Sequence, residues 1–130
     1  MKKSTQSFLF IREAGRNIRL DLQQIIYIEA RRNYTRIVTR DKIFMQLVVL
    51  NKWERILPPE QFCQVHRSFI VSIGSITAFD RKFVYLPGIN IPFGEAYRDC
   101  LQDRVTIIGT DSRHVSRHIL EETPAETLRT

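Results

Sequence analysis

Apolar residues in the first half of the chain come in short alternating runs. "FLFIREAGRNIRLD" (residues 8–21) alternates on both sides of Ala14-Gly15-Arg16-Asn17 and predicts strand, turn, strand. "IIYIEA" (25–30) is β-branched and aromatic and predicts a further strand. "RRN" interrupts the pattern, "YTRIVT" (34–39) resumes it, "RD" marks a turn, and "KIFMQLVV" (42–49) predicts the next strand. Runs this short do not complete helices; their spacing is that of a meander of hairpins.

The period changes at "LNKWERILPPEQF". Leu50, Trp53, Ile56 and Leu57 recur at helical spacing and predict a short amphipathic helix that Pro58-Pro59 stops. "CQVHRSFIVSIGSITAFD" has strand-like flanks, and "FVYLPGINIPF" reads as a hairpin turning at Pro87-Gly88. "EAYRDCLQDR" places Ala96, Tyr97, Cys100 and Leu101 toward one face of a second short helix, and "VTIIG" reads as one more strand. "SRHVSRHILEE" reads as a helix with Val115, Ile119 and Leu120 inward, or else as part of a tail. The organisation expected is a lead of residues 1–7, one mainly β domain over 8–109 and a polar C-terminal segment over 110–130, with function carried by loops.

A chain of 130 residues is one domain by default and long enough to bury a core without disulfides or metal. The net charge of +6 is concentrated in the body: residues 1–110 carry about 17 basic and about 10 acidic side chains, the last twenty about 3 and 4. That excess favours a polyanionic partner, nucleic acid before an anionic membrane surface. Cys63 and Cys100 have no CxxC spacing and apolar neighbours, as expected of buried thiols in a reducing cytosol. The apolar run near the N-terminus is too short for a signal peptide or membrane span, so a soluble cytoplasmic protein without membrane contact is expected.

The residues argue against catalysis. GxSxG, P-loop, HExxH and GxGxxG motifs are all absent. His66 and Ser68 are two apart, which would put them on one face of a strand, but nothing nominates a group to orient the histidine or donors for an oxyanion. His114 and His118 at i, i+4, even with His66, lack a carboxylate or cysteine at ligand spacing, so no metal or other cofactor is expected.

Nucleic-acid binding accounts for more. "EARRNYTR" groups Arg31, Arg32, Asn33, Tyr34, Thr35 and Arg36 about a strand-to-strand loop, offering forked donors to phosphates and guanine edges. A solvated turn explains one arginine there better than three in six positions. "HRS" (66–68) is a second cluster, although alone it suits a satisfied histidine beside a surface arginine. "GEAYR" (94–98) opens the second helix, where free N–H groups suit a phosphate. Glu95 opposes that by repulsion, unless it serves as a helix-start charge or accepts from a cytosine amine.

Three stretches together, "IIYIEARRNYTRIVT", "FCQVHRSFIVSIGSI" and "INIPFGEAYRDCL", with the helix "LNKWERILP" between the first two, resemble the LytTR family of bacterial DNA-binding domains in order and spacing from about Phe8 to Leu101. The resemblance implies about ten short strands in small packed sheets with little helix. It implies a response-regulator-like transcription regulator that binds double-stranded DNA sequence-specifically, with loops in successive major grooves and two copies on direct repeats. By the same resemblance Arg67 reads a guanine, Ser68 holds backbone, and His66 orients the loop or touches phosphate. Tyr34 or Thr35 is the first loop's contact and Arg36 a phosphate partner. The family's third contact, an arginine, falls on Glu95 and its serine on Gly94. That departure leaves the third loop reading another base or binding less, with Arg98 as the substitute.

Relatives commonly carry a receiver domain or membrane segment ahead of this module. No such module precedes the first strand here, which suits a free-standing regulator or a piece of a longer protein. The rival expectation is a protein-interaction module that pairs through a strand edge with a related full-length regulator. A homodimer is compatible with either.

Overall fold

The computed structural model describes residues 7–109. Its element order is β1 (Phe8–Glu13), β2 (Arg16–Asp21), β3 (Ile25–Ala30), β4 (Thr35–Thr39), β5 (Ile43–Gln46), α1 (Leu50–Ile56), β6 (Phe62–His66), β7 (Phe69–Ser72), β8 (Ala78–Phe79), β9 (Phe83–Leu86), β10 (Ile89–Pro92) and α2 (Arg98–Gln102). Single 3-10 turns lie at Leu22–Gln24, Ile73–Ser75 and Glu95–Tyr97. The mainly β expectation holds: ten strands form three small antiparallel sheets, β1-β2, β5-β4-β3-β7-β6 and β10-β9-β8.

Turn chemistry sets the hairpins. β1 and β2 join through Ala14 and Gly15, both at positive φ (53° and 78°), the backbone of a two-residue turn whose twist matches the strands. Pro87-Gly88 closes β9 and β10, with proline supplying the fixed φ and Gly88 the φ of 80°.

The five-stranded sheet is apolar on both faces, and each face packs a separate core. Ile28, Ile37, Phe44, Phe62 and Ile70 face the β1-β2 hairpin (Ile11, Leu20) and α1 (Leu50, Trp53), with Leu57 just beyond it. Tyr27, Cys63, Val65 and Val71 face the β8–β10 sheet (Val84, Leu86, Ile91) together with Phe93 and Leu101. Register shifts at Ile25/Tyr27 on β3 and Gln64/His66 on β6 mark bulges, which let a strand change which residues meet which core. The second core stops short of edge strand β5, where Ile43 and Met45 remain about half exposed, followed by exposed Leu47 and Val49.

Three local expectations need revision. "VTIIG" forms no strand; residues 105–109 are irregular and Val105 packs on the second core. "EAYRDCLQDR" is not one helix but a 3-10 turn followed by the five-residue α2, with Leu101 fully buried, Tyr97 and Cys100 half-buried and Ala96 exposed. β8 was hidden in "SITAFD", two residues long and paired only to β9. The helix or tail expected within 110–130 lies outside the described residues. Among the described residues no helix is long and apolar enough to cross a membrane.

Candidate nucleic-acid interface

Three polar loops meet at one end of the central sheet, and backbone hydrogen bonds hold them there. The β3–β4 loop, Arg31 to Tyr34, closes on itself as Arg31 N–H donates to Tyr34 C=O (2.8 Å). β3 lies beside β7, so this loop stands next to the β6–β7 turn, and Ala30 N–H donates to Ser68 C=O (2.8 Å) across the join. The segment after β10 is fastened on the other flank, where Gly94 N–H donates to Val65 C=O (2.8 Å). The sequence clusters at 31–36, 66–68 and 94–98 are thus brought to one end by topology.

The β6–β7 turn is braced from within. Ser68 N–H donates to His66 Nδ1 (3.1 Å), which requires that nitrogen to be unprotonated. The imidazole sits edge-on to Phe69, and Gln64 Nε2 donates to the carbonyl of His66 (3.2 Å). His66 and Ser68 are therefore joined through backbone and ring rather than as a hydroxyl–imidazole pair. Held this way, the turn presents Arg67 outward and exposed.

In the first loop the arginines divide. Glu29 Oε1 accepts from Arg36 Nη1 at 2.8 Å and lies 3.4 Å from Arg31 Nε. Burial pulls the Arg36 pKa down, but bonds to Glu29 and Tyr27 outweigh it and the net shift is upward. Arg36 is thus a half-buried strut, with its charge committed to Glu29. Arg32 and Asn33 are exposed, and among the described residues neither Arg32 nor Arg67 pairs with a carboxylate. Tyr34 is half-buried. Thr35, named above as a loop contact, is fully buried on the opposite face, where its Oγ1 accepts from Trp53 Nε1 (2.9 Å). Its strand position turns it into the first core.

The third loop differs from a phosphate-seating helix start. α2 has five residues, and exposed Glu95 stands on the turn before it. Glycine at 94 has a packing reason: a Cβ there would meet Tyr97 Cδ2 at 2.9 Å. Arg98 is half-buried, its Nη2 donating to Arg81 C=O (2.7 Å) while its Nε is buried without a hydrogen-bond partner among the described residues. That contact adds exposed Arg81 and Lys82, in the β8–β9 turn, to the same end of the molecule. Sequence reading passed over them; two adjacent basic residues between two short strands were the available signal. Among the described residues no group of three or more His, Cys, Asp or Glu side chains could hold a metal ion.

Known proteins resemble this chain in sequence and in fold. A curated relative, the CO-responsive transcriptional regulator RcoM of Rhodospirillum rubrum, is 36% identical over 63 residues, 48% of this chain; the matched stretch spans only 27% of that regulator. A solved LytTr DNA-binding domain of a Bacillus cereus response regulator superposes with a TM-score of 0.66 at 21% identity, covering 76% of this chain and 96% of that one. The family model described as the LytTr DNA-binding domain matches residues 15–106, and the chain belongs to that family.

Proposed function

We propose that this chain is the DNA-reading part of a transcription regulator and binds duplex DNA sequence-specifically through the loop end of its central sheet. The observation that carries the reading is the convergence of three loops on one end, with Arg32 and Arg67 exposed and free of carboxylate partners among the described residues. An unpaired guanidinium on a braced turn has its fork available for a guanine edge; a half-buried arginine already bonded to glutamate does not. Arg67 is the base reader. Ser68 and His66 fix its turn, Arg31, Arg32 and Asn33 hold phosphates or a neighbouring base, and Tyr34 supports their loop. Arg81 and Lys82 add phosphate contacts on the far flank. Two copies occupy direct repeats, each placing its loops in the major groove. Phosphate contacts supply most of the affinity and a few side chains the sequence preference.

The test is selection from a random duplex pool at about 0.15 M salt, where non-specific attraction is screened. A recovered pair of repeats about one helical turn apart supports the reading. With roughly 5–6 phosphate contacts, log K should fall with log salt at a slope near −5. A pool that stays random overturns it.

One observation favours a second reading. Edge strand β5 exposes Ile43, Met45 and, beyond it, Leu47 and Val49 in alternate positions, an arrangement suited to pairing with another chain. On that reading the module binds a related regulator through this edge, and binding to DNA alone is salt-sensitive without sequence preference.

A further inference from the structure

The two cysteines are far apart in sequence and adjacent in space. Cys63 lies on β6 and Cys100 on α2, and both line one cavity of about 280 Å³ between α1, β6 and α2, shared with Leu57, Gln64, Tyr97 and Arg104. Cys100 packs against the buried cluster that holds Cys63, whose thiol donates to Gln64 C=O (3.6 Å). Both are free, Cys63 buried and Cys100 half-buried. Nothing in the DNA reading uses them.

We propose that Cys63 and Cys100 are an oxidation site at which a hydroperoxide closes a reversible disulfide, cross-linking β6 to α2. The half-buried Cys100 meets the oxidant through the cavity. Its sulfur attacks the peroxide O–O bond; an S–O bond forms, the O–O bond breaks, and the other oxygen leaves as water or an alcohol with a proton. The Cys63 sulfur then attacks the Cys100 sulfur. The S–S bond forms, the S–O bond breaks, and the hydroxyl leaves as water with the Cys63 proton. Two thiols and one hydroperoxide give one disulfide and two molecules of water, or one of water and one of alcohol.

The order of attack follows from the surroundings. Burial first, and the neighbouring Cys100 second, push the Cys63 thiol up to about 12 against the opposing pull of Arg104, whose Nη1 donates to Phe62 C=O nearby (2.7 Å). Cys63 therefore stays protonated near neutral pH and is not the sulfur that meets the peroxide; in the second step its proton leaves with the displaced hydroxyl.

The cross-link sits behind two of the polar loops. Cys63 is three residues before His66, and Cys100 is two after Arg98. The sulfurs must close across the cavity to a bond of about 2 Å. β6 is held in the five-stranded sheet, whereas α2 is a five-residue helix with no side-chain cap, so α2 is the element that moves. Its movement carries Glu95 and Arg98 relative to Arg67. This second half of the inference rests on the DNA reading above.

The test treats the full chain with hydrogen peroxide and follows intact mass and tryptic peptides. The expected result is loss of two hydrogens, a disulfide joining peptide 56–67 to peptide 99–104, and reversal by dithiothreitol. Cys100→Ser, at the half-buried partner, should abolish the loss while leaving the circular dichroism unchanged. Addition of oxygen to Cys100 with Cys63 still open to alkylation after unfolding, disulfides only between chains, or no reaction would each overturn the site. Selected duplex should then bind the oxidised chain several-fold more weakly than the reduced chain, with Cys100→Ser indifferent to oxidant. Equal binding of the two forms overturns the coupling. A reduced chain that selects no sequence overturns the DNA reading instead, and the mass measurement still decides the thiol pair.

Discussion

The indole N–H of Trp53 donates to the hydroxyl of Thr35 at 2.9 Å, joining α1 to β4 inside the first core. Both groups are buried, so each satisfies the other's polar atom where water cannot. Thr35→Val keeps the shape, removes the acceptor and should cost about 1–3 kcal/mol of folding stability, read from urea unfolding. Its base preference in the duplex selection should match that of the unaltered chain. A changed preference with unchanged stability would return Thr35 to the DNA-facing set.

Arg67→Ala should behave in the opposite way. The side chain is exposed and the turn is held by His66, Gln64 and the backbone, so the unfolding midpoint should stay within experimental error. Binding to the selected duplex should weaken by roughly 1–3 kcal/mol, with relaxed preference at one base pair. A variant that binds selected and scrambled duplex as the unaltered chain does would remove the base-reading role.

Among the described residues, Glu29 is the one carboxylate that restrains the first loop's arginines. Glu29→Gln keeps an acceptor for Arg36 and deletes a negative charge beside the loop. Fluorescence anisotropy across a salt series should show tighter binding to scrambled duplex and a salt slope steeper by up to about one. An unchanged slope would mean that this loop lies away from the phosphates.

The β8–β9 turn should loosen in acid. Asp80 accepts from the amides of Phe83 and Lys82 (2.8 Å each) and from Tyr85 Oη (2.7 Å). Those bonds, the Phe83 amide first, hold its pKa below the ordinary carboxylate value, and the same contact raises that of Tyr85. A lowered folded-state pKa means support that is complete above the ordinary value of 3.8 and lost as pH falls through the folded value below it. Amide exchange at Lys82 and Phe83, corrected for its intrinsic pH dependence, should lose protection in that acid range and not between pH 5 and 8. Asp80→Asn should remove the step.

Ala14 holds a φ of 53° that costs a residue with a Cβ about 1 kcal/mol. Ala14→Asn, the residue type favoured at the first position of such a turn, should raise stability by about 0.5–1 kcal/mol, seen as a higher urea midpoint at unchanged slope.

Much of this fold could be read in the residues because turn chemistry and alternation agree. Ala14-Gly15 and Pro87-Gly88 fall where the hairpins turn, and Pro58 follows directly on the end of the α1 segment at Leu57. The failures occur where elements are too short for a period to register. β8 has two residues, and α2 follows a 3-10 turn that shifts its inward face. The site was legible as clusters but not as individual roles. Thr35 and Arg36 fell together in the first cluster, and only the tertiary partners Trp53 and Glu29 show that both are occupied inside the domain. Arg81 and Lys82 join the site through Arg98 and Phe93, contacts across many residues that no local pattern encodes.

A sheet covered by a hydrophobic core on each face lacks the usual safeguard against misalignment. Where one face is wet, a strand shifted by one residue drives apolar side chains into water, and the error corrects itself. Here the shifted strand would exchange one greasy surface for another. What forbids it in β4 is chemistry: the shift would press the Arg36 guanidinium against the Trp53 indole and leave Thr35 opposite Glu29. Two polar pairs on opposite faces therefore act as a key for strand alignment. Replacing all four residues with hydrocarbons of similar size should leave the domain stable but its β4 without a fixed choice of which face meets which core.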